Sequence, residues 1–188
     1  MQNLRNYISA CVNISDETWT KLLAIAQTNL FSKDEIVVYG GHITRKEYFV
    51  ASGVIRSFIV DDQGNEHTNG FFGAGNFITL NSRRTENHCS IYNLQSLTPT
   101  TLIAFETRLI ATFLQEHKYL TALVNKIKTT EKERLLQRDH IILQASSKDK
   151  YKQFVKVYPE LTNQVSHIHV ASYLGMSPVT LSRIRNSV

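Results

Sequence analysis

The stretch ASYLGMSPVTLSRIR, residues 171–185, places two arginines, Arg183 and Arg185, on the last helix that the sequence predicts. A guanidinium is a permanently charged planar fork of donors, so a helix carrying two of them needs a surface to meet. Another subunit, a membrane or a nucleic acid would each provide one. The stretch itself narrows the choice. His167 to Leu174 reads as a short helix with Val170, Ala171 and Leu174 turned inward; Gly175 supplies a left-handed turn, and Ser177 caps a second helix with Pro178 in its first turn. Two helices joined so tightly cross steeply only where the facing residue is small, and Ala171 stands there. Leu181 and Ile184 close the little core from the second helix, with Met176 beneath the turn. This spacing is that of a helix-turn-helix.

With those residues inside, Pro178, Val179, Ser182, Arg183 and Asn186 face outward. A helix of this size fits the major groove of DNA, where Arg183 can donate two hydrogen bonds to O6 and N7 of guanine. Ser177, Thr180 and the free amides at the helix start are placed for a phosphate. The plainer alternative, an αα-hairpin with solvated arginines, does not require the small residue, the turn glycine and the cap together.

The remaining elements must position this helix. From Leu30 to Phe105 the chain is a series of short β-branched and aromatic runs, EIVVYG, EYFVASG, VIRSFIV, TNGFF and TLIAF. Gly40-Gly41, Asp61-Asp62-Gln63-Gly64-Asn65 and Gly73-Ala74-Gly75 punctuate them, which predicts an antiparallel sandwich or barrel. Ahead of it SDETWTKLLAIAQ predicts a helix from about 16 to 28. After Glu106 no glycine occurs before Gly175, and the period becomes helical. Leu120, Leu123, Val124, Ile127, Glu131, Arg134, Leu135, Arg138, Ile141 and Ile142 form one long seam, apolar at its ends and charged in its middle. Such a seam is buried either against its own body or against a second copy. SSKDKYKQFVKVYPE then predicts a helix capped by Ser146 or Ser147, bearing Lys148, Lys150, Lys152 and Lys156.

Charge follows the same division. Residues 1–117 carry 9 Lys+Arg against 11 Asp+Glu, whereas residues 118–188 carry 12 against 5. The basic surplus of the last third suits a polyanion, although a solvated lysine-rich helix gives the same balance. No apolar run reaches the roughly 20 residues of a membrane span, and the start MQNLRNYISACVN lacks the form of a signal peptide, so a cytoplasmic protein is expected. Cys11 and Cys89 are far apart, which argues against a disulfide framework or a cysteine metal cluster. His42, His67, His88, His117, His140, His167 and His169 are scattered, and His167 and His169 fall on different faces of a helix. No metal, cofactor or catalytic arrangement is expected, and the chain does not read as an enzyme.

ASYLGMSPVTLSRIR, preceded by YPELTNQV, resembles the DNA-binding end of the Crp/Fnr family of transcription regulators, closest to a short subgroup that ends just after its recognition helix. DEIVVYGG, YFVASGVIRSFIVDDQGNEHTNGFFGAGNFI and TLIAF are similar to the successive strands of that family's cyclic-nucleotide-binding β-roll. The resemblance implies an α+β fold in three parts: a β-roll sensor over 1–117 with flanking helices, a dimerisation helix over 118–145, and a helix-turn-helix over 146–188 lacking a complete wing. It further implies a homodimer on a pseudo-palindromic DNA site, with RNA polymerase as a further partner. Arg183 matches the base-reading arginine; Ser177, Thr180 and His167 fall at backbone-contact positions; Pro178, Val179, Ser182, Arg185 and Asn186 complete the candidate DNA-binding set.

Two departures from the family stand out. Thr79 and Leu80 occupy the place of the glycine-glutamate pair that meets the ribose, and Ser90 through Asn93 the place of the arginine-serine pair that meets the cyclic phosphate. Gly75, Asn76, Thr79 and Leu80 are therefore a degenerate ligand pocket, and a phosphate buried there without a cation is costly. Arg83 and Arg84 are nearby but read as solvated in a loop. Cyclic AMP is not expected to bind in the usual way, and the effector is not named by the sequence. In the reading head, Pro178 and Val179 replace an arginine and a glutamate. The competing reading keeps the β-roll as a ligand or partner sensor whose helical tail only dimerises.

Overall fold

The computed structural model describes residues 1–79 and 87–186. The chain opens with α1 (Gln2–Ser9), which buries Leu4 and Ile8 and has no counterpart in the sequence expectation. Ser15 caps α2 (Asp16–Ala24): its Oγ accepts the Thr18 amide at 3.1 Å, and Asp16 and Glu17 lie in the first turn, where the helix dipole favours negative charge. Periodicity carries this helix to about residue 28, but it stops at Ala24 and Ala26–Phe31 forms β1. β1 pairs antiparallel with β8 (Thr100–Glu106), from Ala26↔Phe105 to Phe31↔Thr100. That ladder outweighs a helix preference already weak at Thr28 and Asn29.

Between them run β2 (Ile36–Val38), β3 (Lys46–Ser52), β4 (Ile55–Val60), β5 (Glu66–Phe72), β6 (Phe77–Ile78) and β7 (Asn93–Ser96). They form two four-stranded sheets, ordered β1-β8-β3-β6 and β2-β7-β4-β5. In the first sheet both faces are covered. Tyr48, Val50, Leu102 and Ala104 point into one core with Val38, Ile55, Phe72, Ile78 and Leu94. Phe49, Ile103 and Phe105, the alternate residues, meet Leu4, Ile8, Trp19, Leu22, Phe113, Leu120 and Leu123 on the other side. Burial of both faces is why EYFVA and TLIAF are continuous apolar runs rather than alternating ones.

The chain divides into two compact units, but not at a single point. One comprises Met1–Arg56 with Phe71–Thr129; the other comprises Ser57–Gly70 with the chain from Thr130 onward. The outer part of the β4–β5 hairpin thus groups with the carboxyl-terminal helices. Its turn is set by Asp61, whose carboxylate accepts the amides of Gln63 at 3.0 Å and Asn65 at 2.8 Å and His67 Nε2 at 2.8 Å. These bonds, His67 first and Asn65 next, hold the Asp61 carboxyl below the usual range.

After α3 (Thr107–Glu116) and a 3₁₀ turn (Lys118–Leu120), α4 (Thr121–Ile142) carries the expected seam, and the structure uses much of that seam within the chain itself. Leu120 and Leu123 are buried in the first unit's helix-covered core, with Ile127 packed against it. In the second unit Arg134 is buried and paired with Glu131, Nε to Oε2 at 2.8 Å and Nη2 to Oε1 at 3.0 Å, and Ile141 is fully buried. The charged middle of the seam is therefore an internal ion pair. Burial works against the Arg134 charge, but the Glu131 hydrogen bond and field outweigh it and raise the guanidinium's pKa. The apolar residues left outside are Leu135, Leu136 and Leu143. Ala122, Thr129, Leu136 and Leu143, all exposed, recur every seventh position.

Hairpin and helices meet closely in the second unit. A Cβ on Gly70 would lie 2.3 Å from Arg134 Nη1, so glycine is what lets the guanidinium approach β5. Removing Glu131 while leaving this buried cation is expected to destabilise the protein by about 3 to 5 kcal/mol. Chemical denaturation should show Glu131→Leu well below wild type, and Glu131→Leu with Arg134→Met markedly closer to it; equal loss in both would refute the pairing argument.

Candidate nucleic-acid interface

Within the second unit the candidate site is built from α5 (Ser147–Val157), α6 (Leu161–Gln164), α7 (His167–Leu174) and α8 (Pro178–Arg185). Ser146 caps α5, its Oγ accepting the Asp149 amide at 3.1 Å. α5 packs on α7 and α8 through the fully buried Phe154, whose ring lies 5.6 Å from that of Tyr173. Tyr158 stands edge-on to Tyr173 at 6.1 Å, and the Arg138 guanidinium lies 5.7 Å above the Tyr173 ring. Burial, with Tyr158 alongside, pushes the Tyr173 phenol above its ordinary range, so it stays neutral at any physiological pH. Phe154 and Tyr158, four positions apart, already share a helical face in the sequence pattern; Tyr173 is fifteen positions beyond Tyr158, and only packing joins it to them.

α7 ends as a Schellman motif. Gly175 adopts φ 65°, ψ 39°, its amide reaches Ser172 O at 3.2 Å, and the Met176 amide reaches Ala171 O at 3.0 Å. Ala171, Leu174 and Leu181 are completely buried and Val170 nearly so, which brings α7 directly onto α8. Ile184 is half-buried at the other end of this contact. Ser177 caps α8: its Oγ accepts the Thr180 amide at 3.1 Å and lies 2.9 Å from Thr180 Oγ1. Ser172, on the outer side of α7, donates to Glu66 O at 2.7 Å and accepts the Thr68 amide at 2.9 Å, fastening α7 to the edge of β5.

The candidate side chains on α8 divide by face. Ser177, Pro178, Val179, Ser182, Arg183 and Asn186 are exposed, and Thr180 is half-buried with its hydroxyl facing Ser177. Arg185 is half-buried, and its Nη1 is enclosed with no hydrogen-bond partner, so its charged end is turned toward the domain. His167 is exposed at the start of α7, behind Ser166, which makes no side-chain cap there. Lys148, Lys152 and Lys156 are exposed on α5, and Lys150 is half-buried.

The residues expected to form a degenerate ligand pocket, where described, belong to the first unit. Gly75 turns the chain with φ 88°; its amide donates to Val50 O at 2.8 Å, and Asn76 O accepts the Val50 amide at 2.9 Å. Thr79 is half-buried, while Leu80, with Arg83 and Arg84, lies outside the described residues. Ser90 is buried and its hydroxyl donates to Tyr92 O at 2.6 Å; Asn93 Oδ1 accepts the Gly40 amide at 2.9 Å. A buried cation is present elsewhere in this unit: Arg56, 1% exposed, donates from Nε to Gln95 Oε1 at 2.8 Å. Among the described residues no group of three or more His, Cys, Asp or Glu is arranged to hold a metal ion, and no helix is long and apolar enough to cross a membrane.

Comparison with known proteins shows which fold the chain shares. No curated protein matches the chain in sequence. The c-di-GMP-responsive global regulator CLP of Xanthomonas campestris superposes with a TM-score of 0.72 at 18% identity, covering 92% of this chain and 91% of its own. FixK2 from Bradyrhizobium japonicum gives 0.72 at 13% identity, with 87% and 84% covered. A CRP-family transcriptional regulator from Thermus thermophilus gives 0.68 at 14%, with 85% and 83% covered. Residues 28–117 match the cyclic nucleotide-binding domain family, and the chain as a whole shares the fold of these regulators.

Proposed function

We propose that the chain is a sequence-specific DNA-binding transcription regulator of the Crp/Fnr type that acts as a homodimer. The observation that carries this reading is the division of α8: Leu181 is completely buried against α7, while Arg183 and its outward neighbours are left to solvent. A rigid helix with one face held and the other bare is what entry into a major groove requires. Arg183 then reads a guanine, Ser182 and Asn186 flank it, and His167 with the uncapped start of α7 meets a phosphate. Ser177 and Thr180 hydroxyls are engaged with each other, so their contribution to the backbone runs mainly through geometry of the helix start. The exposed lysines of α5 supply sequence-independent attraction. RNA polymerase remains a natural further partner for a regulator of this type.

The homodimer is inferred to use the outer side of the second half of α4, where Leu136 is 57% exposed and Leu143, one residue past the helix end and seven residues on, is 82% exposed. An effector would act by changing how the two reading helices are presented. Cyclic AMP in the usual pose is not that effector in this reading, because the polar groups at Ser90 and Asn93 are already bonded to backbone and Arg56 is engaged with Gln95.

Three measurements test the proposal. Selection of bound duplexes from a random pool should return a two-fold symmetric site, and Arg183→Ala should lose about 1 to 3 kcal/mol of discrimination on it; equal discrimination by both proteins would remove Arg183 from its role. Sedimentation should find wild type dimeric and Leu136→Glu with Leu143→Glu monomeric, since two charges from each subunit would then be buried unpaired; a dimeric double variant would place the interface elsewhere. Calorimetry with cyclic AMP should show no submicromolar site, and such a site would overturn the effector argument.

A further inference from the structure

We infer that Val179 is a specificity residue that reads the 5-methyl group of a pyrimidine in the major groove, thymine in unmodified DNA, close to the guanine read by Arg183. This rests on α8 being a DNA-recognition helix. Val179 is 61% exposed in the second position of α8, an apolar side chain that folding leaves mostly in solvent. Pro178 beside it is also exposed, and it has neither an amide hydrogen nor a polar side chain. The two outermost side chains at the leading end of α8 therefore contain no hydrogen-bonding atom. The hydroxyls of Ser177 and Thr180 face one another at 2.9 Å, and the next exposed hydroxyl, Ser182, lies nearly a turn beyond Val179 along α8.

A base edge that meets this end loses its water without gaining a partner. For a donor or acceptor that exchange is unfavourable. The thymine methyl is the one apolar group that the four bases present in the major groove, and for it the exchange is favourable. Position follows from helix geometry. Val179 and Arg183 are four residues apart, roughly 6 Å along the axis, against roughly 3.4 Å per base pair. The methyl should lie within about two base pairs of the guanine. Arg183 and Val179 are both exposed, so one helix face joins a charged reader to an apolar one.

The test uses the full chain and the duplex it selects from a random pool. Each thymine is replaced singly by deoxyuridine, which removes one methyl and changes no hydrogen-bonding group. One position per half-site should weaken binding about fourfold, and the substitution in both half-sites about fifteenfold, as expected for burying a methyl once and twice. At that position 5-methylcytosine should bind more tightly than cytosine. Val179→Ala, an exposed change that leaves the helix capped by Ser177, should make thymine and deoxyuridine duplexes equal. If deoxyuridine is tolerated everywhere while Arg183→Ala still loses discrimination, the inference fails and the DNA-binding reading stands. If no duplex is selected, both fail.

Discussion

The close approach of α7 to α8 is the constraint on which the rest of the candidate interface depends. Ala171 is completely buried at that approach, and a larger side chain there would push the helices apart. Gly175 complements it, because the left-handed conformation at φ 65° is reached without strain only when no Cβ is present. Once the two helices are set, the burial of Leu181 fixes which face of α8 is turned inward. Arg183 and Val179 are outward for that reason, and any chemistry assigned to them inherits the rigidity of a small apolar core.

The charged middle of α4 takes its meaning from the same unit. Two charges inside an apolar seam are poor adhesive between separate chains, since their desolvation must be matched by good geometry. Here the geometry is internal: Arg134 makes two bonds to Glu131, one turn away, and lies against Gly70 of the hairpin. Ser172 adds a second fastening by completing the backbone hydrogen bonding at the edge of β5. The outer hairpin and the carboxyl-terminal helices consequently belong to one compact unit. A change in the hairpin would reach α7 directly, without an intermediate linker.

The tightly joined pair α7 and α8 was legible because every determinant lies within fifteen residues: the small residue, the turn glycine, the serine cap and the first-turn proline. Local signals of this kind act through the backbone of their immediate neighbours, and nothing distant overrides them. The strands were legible for a related reason, since a ladder covered on both faces leaves continuous apolar runs. Shorter strands such as β6 and β7 left no run to see, and β1 was hidden under a helical period. Thr79 and Ser90 through Asn93 could be read from the sequence only as departures from the resembled pattern; that Ser90 and Asn93 bond backbone could not.

Residue types alone determined that there is a body of short antiparallel strands, a long helix and a terminal pair of helices with Arg183 on the outer side. Tertiary structure decided where α2 gives way to β1, which face of α4 is left bare, and that the hairpin belongs with the helices. These last features rest on partners far away in the chain, as with Thr68 and Ser172, 104 residues apart. A helical period reports that a face is apolar but carries no information about what covers it, and only the folded chain supplies that.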